Sequence, residues 1–288
     1  LIVETDRLGI PCETVICKGC GLVFNDSFFP EASLDAVYQE FYGKINFNGL
    51  SPEETFLKRT RPDAFSWKRF AFISLHLGEE IRNINTVFEI GCRDGCNLLP
   101  FHLVGKAVMG CDFDETYLDA GRRRGLNLIC GGTDSLIASG KKADLIILSH
   151  VVEHFVDLDK EMSKIKNLLS DNGYIYAEVP GLFNWNRKRR YALSEDGYRS
   201  TNDFLSYIQA VHNYHFDLEK ISFFFKKAGF EMILGDEWVR AIFRNCGIAD
   251  SSNRVPVSAE KVLSHLVGVE HDYGNIFSQF RRVALKIL

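Results

Sequence analysis

Five short runs rich in β-branched residues, at 86–90, 107–111, 126–130, 144–148 and 174–179, alternate with helical patterns near 96–104, 117–124 and 158–169. Strand and helix in turn predict a parallel sheet built from βαβ units, because parallel neighbours need a crossover long enough to hold a helix. The expected fold class is α/β, doubly wound and Rossmann-like. Ser170-Asp171-Asn172-Gly173 reads as a turn, and 223–230 as a helix end feeding a further strand at 231–234. The domain so outlined covers 85–245.

Residues 46–84 are expected to form a helical cap: 51–77 looks helical, rich in Phe and Trp and broken by Pro52 and Pro62, and 34–41 before it looks helical too. Residues 246–288 read as a polar loop and a final amphipathic helix. The chain has 288 residues, 46% hydrophobic and 25% charged, with a formal net charge of −4. That balance argues against a dedicated nucleic-acid binder, which needs a basic face to neutralise phosphates. No apolar run approaches the roughly 20 residues that span a bilayer, and Glu4 and Asp6 interrupt the opening stretch as no signal peptide would. A cytoplasmic protein is expected, and the first residue, Leu rather than Met, suggests that a native segment precedes it.

The sharpest local signal is Glu89-Ile90-Gly91-Cys92-Arg93-Asp94-Gly95, where a predicted strand turns into a helix. Gly91 and Gly95 let the backbone turn tightly and approach a ligand. Asp112 follows about 20 residues later at the end of the next strand, the spacing at which a carboxylate accepts from ribose hydroxyls. The G-x-G-x-x-G cradle for a pyrophosphate is absent, and Glu89 would repel a diphosphate while attracting a cationic ligand. Taken singly, Gly91 and Gly95 are ordinary turn glycines and Asp112 a helix cap.

The set of segments 87–95, Gly110-Cys111-Asp112, 143–155 with its Ser149-His150-Val151-Val152-Glu153-His154 core, and Gly173-Tyr174-Ile175 resembles class I S-adenosylmethionine-dependent methyltransferases. The resemblance covers 86–180, roughly half the chain. It implies a seven-stranded fold in which Glu89, Gly91, Cys92 and Gly95 line the methionine half of the cofactor. Asp112 would hold the ribose, Phe113 and Asp134 flank the adenine, and Ser149 and His150 face the sulfonium. The sequence departs from the family at Arg93, where many members carry a small residue; the side chain either points to solvent or folds over the pocket. Two other readings stand beside it: a nicotinamide-dependent oxidoreductase on the same fold, and a non-catalytic binding module with a degenerate domain.

Residues 1–45 carry Cys17-Lys18-Gly19-Cys20, the C-x-x-C spacing of a zinc knuckle. Tetrahedral zinc needs four ligands; only Cys12 lies nearby, and the first histidine is His76. The segment resembles the second half of a zinc ribbon that precedes the methyltransferase domain in bacterial enzymes of sugar, O-antigen and polysaccharide biosynthesis, whose other ligand pair would lie upstream. The remaining alternative is two reduced cysteines in a β-hairpin.

Methyl transfer chiefly needs alignment of a nucleophile with the sulfonium methyl, plus a general base when the nucleophile is a hydroxyl. His150, His212 and His215 are the candidate bases, whereas His154 is expected to pack beneath the cofactor loop. The run Val211-His212-Asn213-Tyr214-His215-Phe216 resembles a segment bordering the acceptor pocket in the polysaccharide enzymes. Arg187-Lys188-Arg189-Arg190 either grips acceptor phosphates or forms a solvated helix face; Phe183, Trp185, Tyr191 and Tyr198 either stack on a sugar or seal the core. The expected partner is a small-molecule or glycan acceptor.

Overall fold

The computed structural model describes residues 2–6, 9–26, 50–184, 208–247 and 259–274. Strands β1 (Val3–Thr5), β2 (Pro11–Ile16) and β3 (Val23–Asn25) precede helices α1 (Pro52–Arg59) and α2 (Phe65–Leu77). There follow β4 (Thr86–Ile90), α3 (Leu99–Leu103), β5 (Ala107–Asp112), α4 (Glu115–Arg122), β6 (Leu128–Cys130) and α5 (Thr133–Ile137). The chain continues through β7 (Ala143–Ser149), α6 (Leu158–Leu168), β8 (Leu169–Glu178), β9 (Tyr214–His215), α7 (Leu218–Lys227), β10 (Phe230–Gly235), β11 (Arg240–Asn245) and α8 (Ala259–Gly274).

Seven strands form one mixed sheet in the order β10-β11-β8-β7-β4-β5-β6. β4 through β8 run parallel, and β11 is antiparallel to both its neighbours. The chain winds outward from β4 to β6, then returns to place β7 on the other side of β4. The crevice at the carboxyl ends of β4 and β7 is therefore the topological switch point, where ligands bind in open α/β sheets. Alternation along the strands feeds two cores: Phe88, Ile90, Ile146, Leu148 and Phe243 face one layer, and Val87, Leu145, Ile147, Tyr176 and Ile242 the other, against Phe56, Ile73 and Phe101.

Several sequence expectations shift. Pro52 does not break a helix but opens one: it sits in the first turn of α1 behind Ser51, whose Oγ accepts from Glu54 N–H while Ser51 N–H donates back to the Glu54 carboxylate. The break falls between α1 and α2, around Pro62. The Ser170–Gly173 turn lies inside β8 as a bulge. Ala143 pairs with Leu169 and Leu145 with Tyr174, so five steps along β8 face two along β7. β11 was not anticipated; its charged ends, Arg240 and Arg244, mask a buried Ala241-Ile242-Phe243 centre. The predicted helix at 34–41 lies outside the described residues.

A second sheet, β1-β2-β3-β9, is antiparallel throughout and joins the amino-terminal strands to the segment just before α7. Val23 pairs with His215 and Phe24 with Tyr214. Buried Asn25 locks the joint: its side-chain amide donates to the His212 carbonyl at 3.0 Å, and its Oδ1 accepts from Thr14 Oγ1 at 2.7 Å. Asp6 Oδ2 adds a bond from Ala210 N–H.

Candidate active site

The loop after β4 is held by backbone geometry. Gly91 and Gly95 adopt φ of +66° and +73°, which a side chain resists. A Cβ on Gly95 would also stand 2.9 Å from Leu126 Cδ1, and one on Gly91 3.0 Å from Val151 Cγ2. Cys92 turns its thiol into the core, 2% exposed, so only its backbone faces the loop's outer side. Gly121, unremarked in the sequence, supports the loop from below: a Cβ there would run into the Asp94 carbonyl oxygen. A glycine inside an otherwise helical pattern was its only signal.

Arg93 also has a left-handed backbone, φ +52°. Its guanidinium does not point to solvent: both terminal nitrogens are buried, and the group lies 3.7 Å above the Tyr117 ring of α4. Asp112, at the end of β5, accepts from Arg93 N–H at 2.8 Å and from Asp114 N–H at 3.0 Å, one bond to each oxygen. Each oxygen retains a lone pair for a further donor. Phe113 follows it, packing near Gly132. Asp134 stands in the first turn of α5, paired with Lys164 at 2.7 Å.

Glu89 occupies the sheet face covered by α1 and α2. It is 1% exposed; Oε1 accepts from Asn97 Nδ2 at 2.6 Å, and Oε2 accepts no hydrogen bond. Burial pushes its carboxyl up to about 8, against the pull of Asn97, Arg59 and Arg69. The cap helices thus enter the site: Arg59 pairs with Asp94 at 3.1 Å, and Arg69 with Glu178 at 2.5 Å. Glu178, at the end of β8, was missed from sequence, although an acidic residue closing a buried strand at the carboxyl edge is a legible signal.

Ser149 ends β7, and His150 follows at φ +57°, its N–H donating to the Glu178 carbonyl at 2.7 Å. The half-exposed imidazole lies between two carboxylates, Nδ1 3.6 Å from Glu153 and Nε2 3.6 Å from Glu178. Enclosure opposes its charge, but the two acids prevail and push it up to about 9. His154 Nδ1 lies 2.8 Å from the Val211 carbonyl, and its ring meets His212 edge-on with centroids 4.7 Å apart. His215 is buried at 4% exposure and pushed down to about 4 by that burial. The structure thus gathers His150, His154, His212 and His215 along one wall.

Cys17 and Cys20 lie in the turn between β2 and β3, where Gly21 N–H returns to the Cys17 carbonyl. N–H donors of Cys20 and Gly19 lower the Cys17 thiol, whereas burial raises that of Cys20. Cys12 is buried in a separate apolar cluster, and among the described residues no third donor joins the pair. The 187–190 basic cluster, Trp185, Tyr191 and Tyr198 lie outside the described residues. Among the described residues no helix is long and apolar enough to cross a membrane.

A seven-stranded sheet with one reversed strand and a glycine turn at its switch point defines a class I S-adenosylmethionine-dependent methyltransferase fold. A family model described as a methyltransferase domain matches residues 58–234, more than half of the chain, and the chain belongs to that family. Ubiquinone biosynthesis O-methyltransferase of Chelativorans sp. (strain BNC1) is 25% identical over 115 residues, 36% of this chain and 46% of that protein. Its namesake from Brucella anthropi is 27% identical over 96 residues, 31% of this chain and 39% of that one. The match therefore spans less than half the length of these curated relatives. Among solved structures, the plantazolicin methyltransferase BpumL, in complex with a pentazolic desmethylPZN analog and SAH, shares the fold. Its TM-score is 0.51 at 15% identity, over 88% of this chain and 89% of that one.

Proposed function

We propose that this chain is an O-methyltransferase that takes its methyl group from S-adenosylmethionine and delivers it to a hydroxyl of a small acceptor of the sugar, nucleotide-sugar or glycan kind. One observation carries the cofactor reading. A buried carboxylate oxygen without a hydrogen bond, Glu89 Oε2, and a half-satisfied carboxylate, Asp112, end adjacent strands on either side of the glycine turn. The first suits the ammonium of a methionine moiety, the second the hydroxyls of a ribose. Gly91, Cys92 and Gly95 leave the backbone open between them, Phe113 and Asp134 border the adenine, and Ser149 and His150 face the sulfonium.

The cofactor supplies a methyl group on a positively charged sulfur. The protein aligns the acceptor oxygen with it and takes up the hydroxyl proton. His150 is half-exposed at the carboxyl edge while His212 and His215 are buried, so it is the one an acceptor can reach; with its pKa pushed up to about 9, it takes up a proton only from its neutral form, as pH approaches that value. Glu153 and Glu178 stabilise the imidazolium that results. Hydroxyl chemistry is supported by both curated relatives bearing O-methyltransferase names; the glycan-type acceptor rests on the resemblance of the 211–216 and Cys17–Cys20 segments. In that reading Cys17 and Cys20 supply half of a structural zinc site.

The test is calorimetry with S-adenosylhomocysteine and with NAD, followed by an acceptor screen that tracks S-adenosylhomocysteine release. Binding of the first alone is expected, with Asp112→Ala weakening it at least about tenfold through the lost ribose bonds. Tight NAD binding alone, or turnover of proteins or nucleic acids but no glycoside, overturns the cofactor or the acceptor reading respectively.

A further inference from the structure

Directly beside the switch point, Glu153, His154 and His212 bring one donor atom each to within 4.8 Å of one another. Glu153 is 1% exposed, yet neither of its carboxylate oxygens accepts a hydrogen bond; Oε1 lies 3.6 Å from His150 Nδ1. A carboxylate buried without a hydrogen bond costs several kcal/mol, which the long ion pair to the half-exposed His150 offsets only in part. A cation in contact with it removes that cost. His154 is set for such a role by its surroundings, and the backbone of His212 is held in place beside it. The Val211 carbonyl can only accept, so His154 Nδ1 donates to it; a ring nitrogen anchored to a carbonyl is the usual support of a ligating imidazole. Asn213 donates to the carbonyls of His154 and Phe155 at 2.9 and 3.2 Å, which clamps the two histidine-bearing segments together. Asn25 fixes the His212 carbonyl from the other side.

We propose that Glu153, His154 and His212 bind a divalent transition-metal ion, and that its open coordination position seats the acceptor's oxygen beside the methyl donor. Two imidazoles and one carboxylate are a donor set for zinc, manganese, iron or cobalt rather than for magnesium or calcium, and three protein ligands leave room for a substrate. The seating of the acceptor rests on the methyltransferase reading above; the metal site does not. It also narrows the acceptor to one with an oxygen pair or an ionisable hydroxyl able to coordinate a metal.

The experiment titrates chelator-stripped protein with Mn²⁺, Zn²⁺ or Co²⁺ alone by calorimetry, with the visible d–d spectrum of Co²⁺ as a second readout and S-adenosylhomocysteine affinity measured in parallel. One site per chain is expected, weakened at least about tenfold by the isosteric Glu153→Gln and, independently, by His212→Gln. S-adenosylhomocysteine affinity should change little in either variant, which shows that each is folded. No metal binding by wild-type protein that binds S-adenosylhomocysteine, or binding unaltered in both folded variants, overturns the site. Metal binding with no cofactor binding leaves the site standing and overturns the methyltransferase reading. Turnover indifferent to chelator in protein that binds metal overturns the seating of the acceptor.

Discussion

The two walls of the crevice are built differently. The nucleotide wall, residues 89–95 with Asp112, is a matter of backbone: left-handed glycines, N–H groups bonded to one carboxylate, and a helix drawn close by Gly121. Its parts lie within about one βαβ unit. The histidine wall is a matter of side chains recruited from afar: His154 and Asn213, 59 positions apart, are joined by a hydrogen bond, and Asn25 reaches across 187 positions to His212. The first wall is a rigid cradle; the second is an assembly whose integrity depends on the small sheet.

The hardest blow to the nucleotide wall is Gly121→Val. It forces α4 away from the Asp94 carbonyl at a cost of about 3 kcal/mol; calorimetry should detect no S-adenosylhomocysteine binding, and the melting temperature should fall. On the other wall, Asn25→Ala strips four hydrogen-bond partners and should cost about 2 kcal/mol in denaturant unfolding. If the walls are independent, it lowers acceptor turnover while S-adenosylhomocysteine affinity stays within about twofold. Equal damage to cofactor binding breaks the comparison.

A gentler probe is pH. Burial keeps Glu89 neutral up to about 8, so the folded chain holds a proton that the unfolded chain has lost above its ordinary carboxyl range. The stability this contributes is full below that range and is lost as pH rises through about 8. A cationic ligand favours the ionised form, so cofactor binding expels the proton. Affinity should therefore strengthen by up to about tenfold per pH unit between pH 6 and 8 and then level. Titration in buffers of different ionisation enthalpy would register the released proton, and Glu89→Gln should remove the slope. The smallest effect is expected for Glu53→Gln. Its bridge to Arg123 is exposed and that to Arg124 half-buried, and the melting temperature should move by no more than about 2 °C.

The difference between the walls also explains what the sequence disclosed. Hydrophobic alternation and two glycines located β4, β5, β7 and the turn, because each depends on residues close in the chain. Glu178 and Arg69 went unnoticed because their meaning is a pairing between a cap helix and a distant strand. Glu153 was visible only as part of a motif; that its carboxylate lies beside two imidazoles follows from the 211–213 segment docking on the turn after β7. The Ser170–Gly173 segment reads as a turn from its residues, yet it lies inside β8, where pairing with β7 makes it a bulge in a strand. Arg93 resolved into a stacking partner of Tyr117, a contact across 24 positions that no local pattern encodes.

The β3–β9 pairing imposes an order on birth as well as on architecture. A ribosome emits β3 first and must add nearly the whole domain before its partner appears. At about 5–20 residues per second, that interval is on the order of 10–40 seconds. Closing so long a loop costs about 2 kcal/mol more than closing one of 20 residues, so the core sheet forms first and the amino-terminal strands dock last. The histidine wall is thus completed only once β9 has emerged and β3 has docked on it. In exchange experiments its amides should be the first to open.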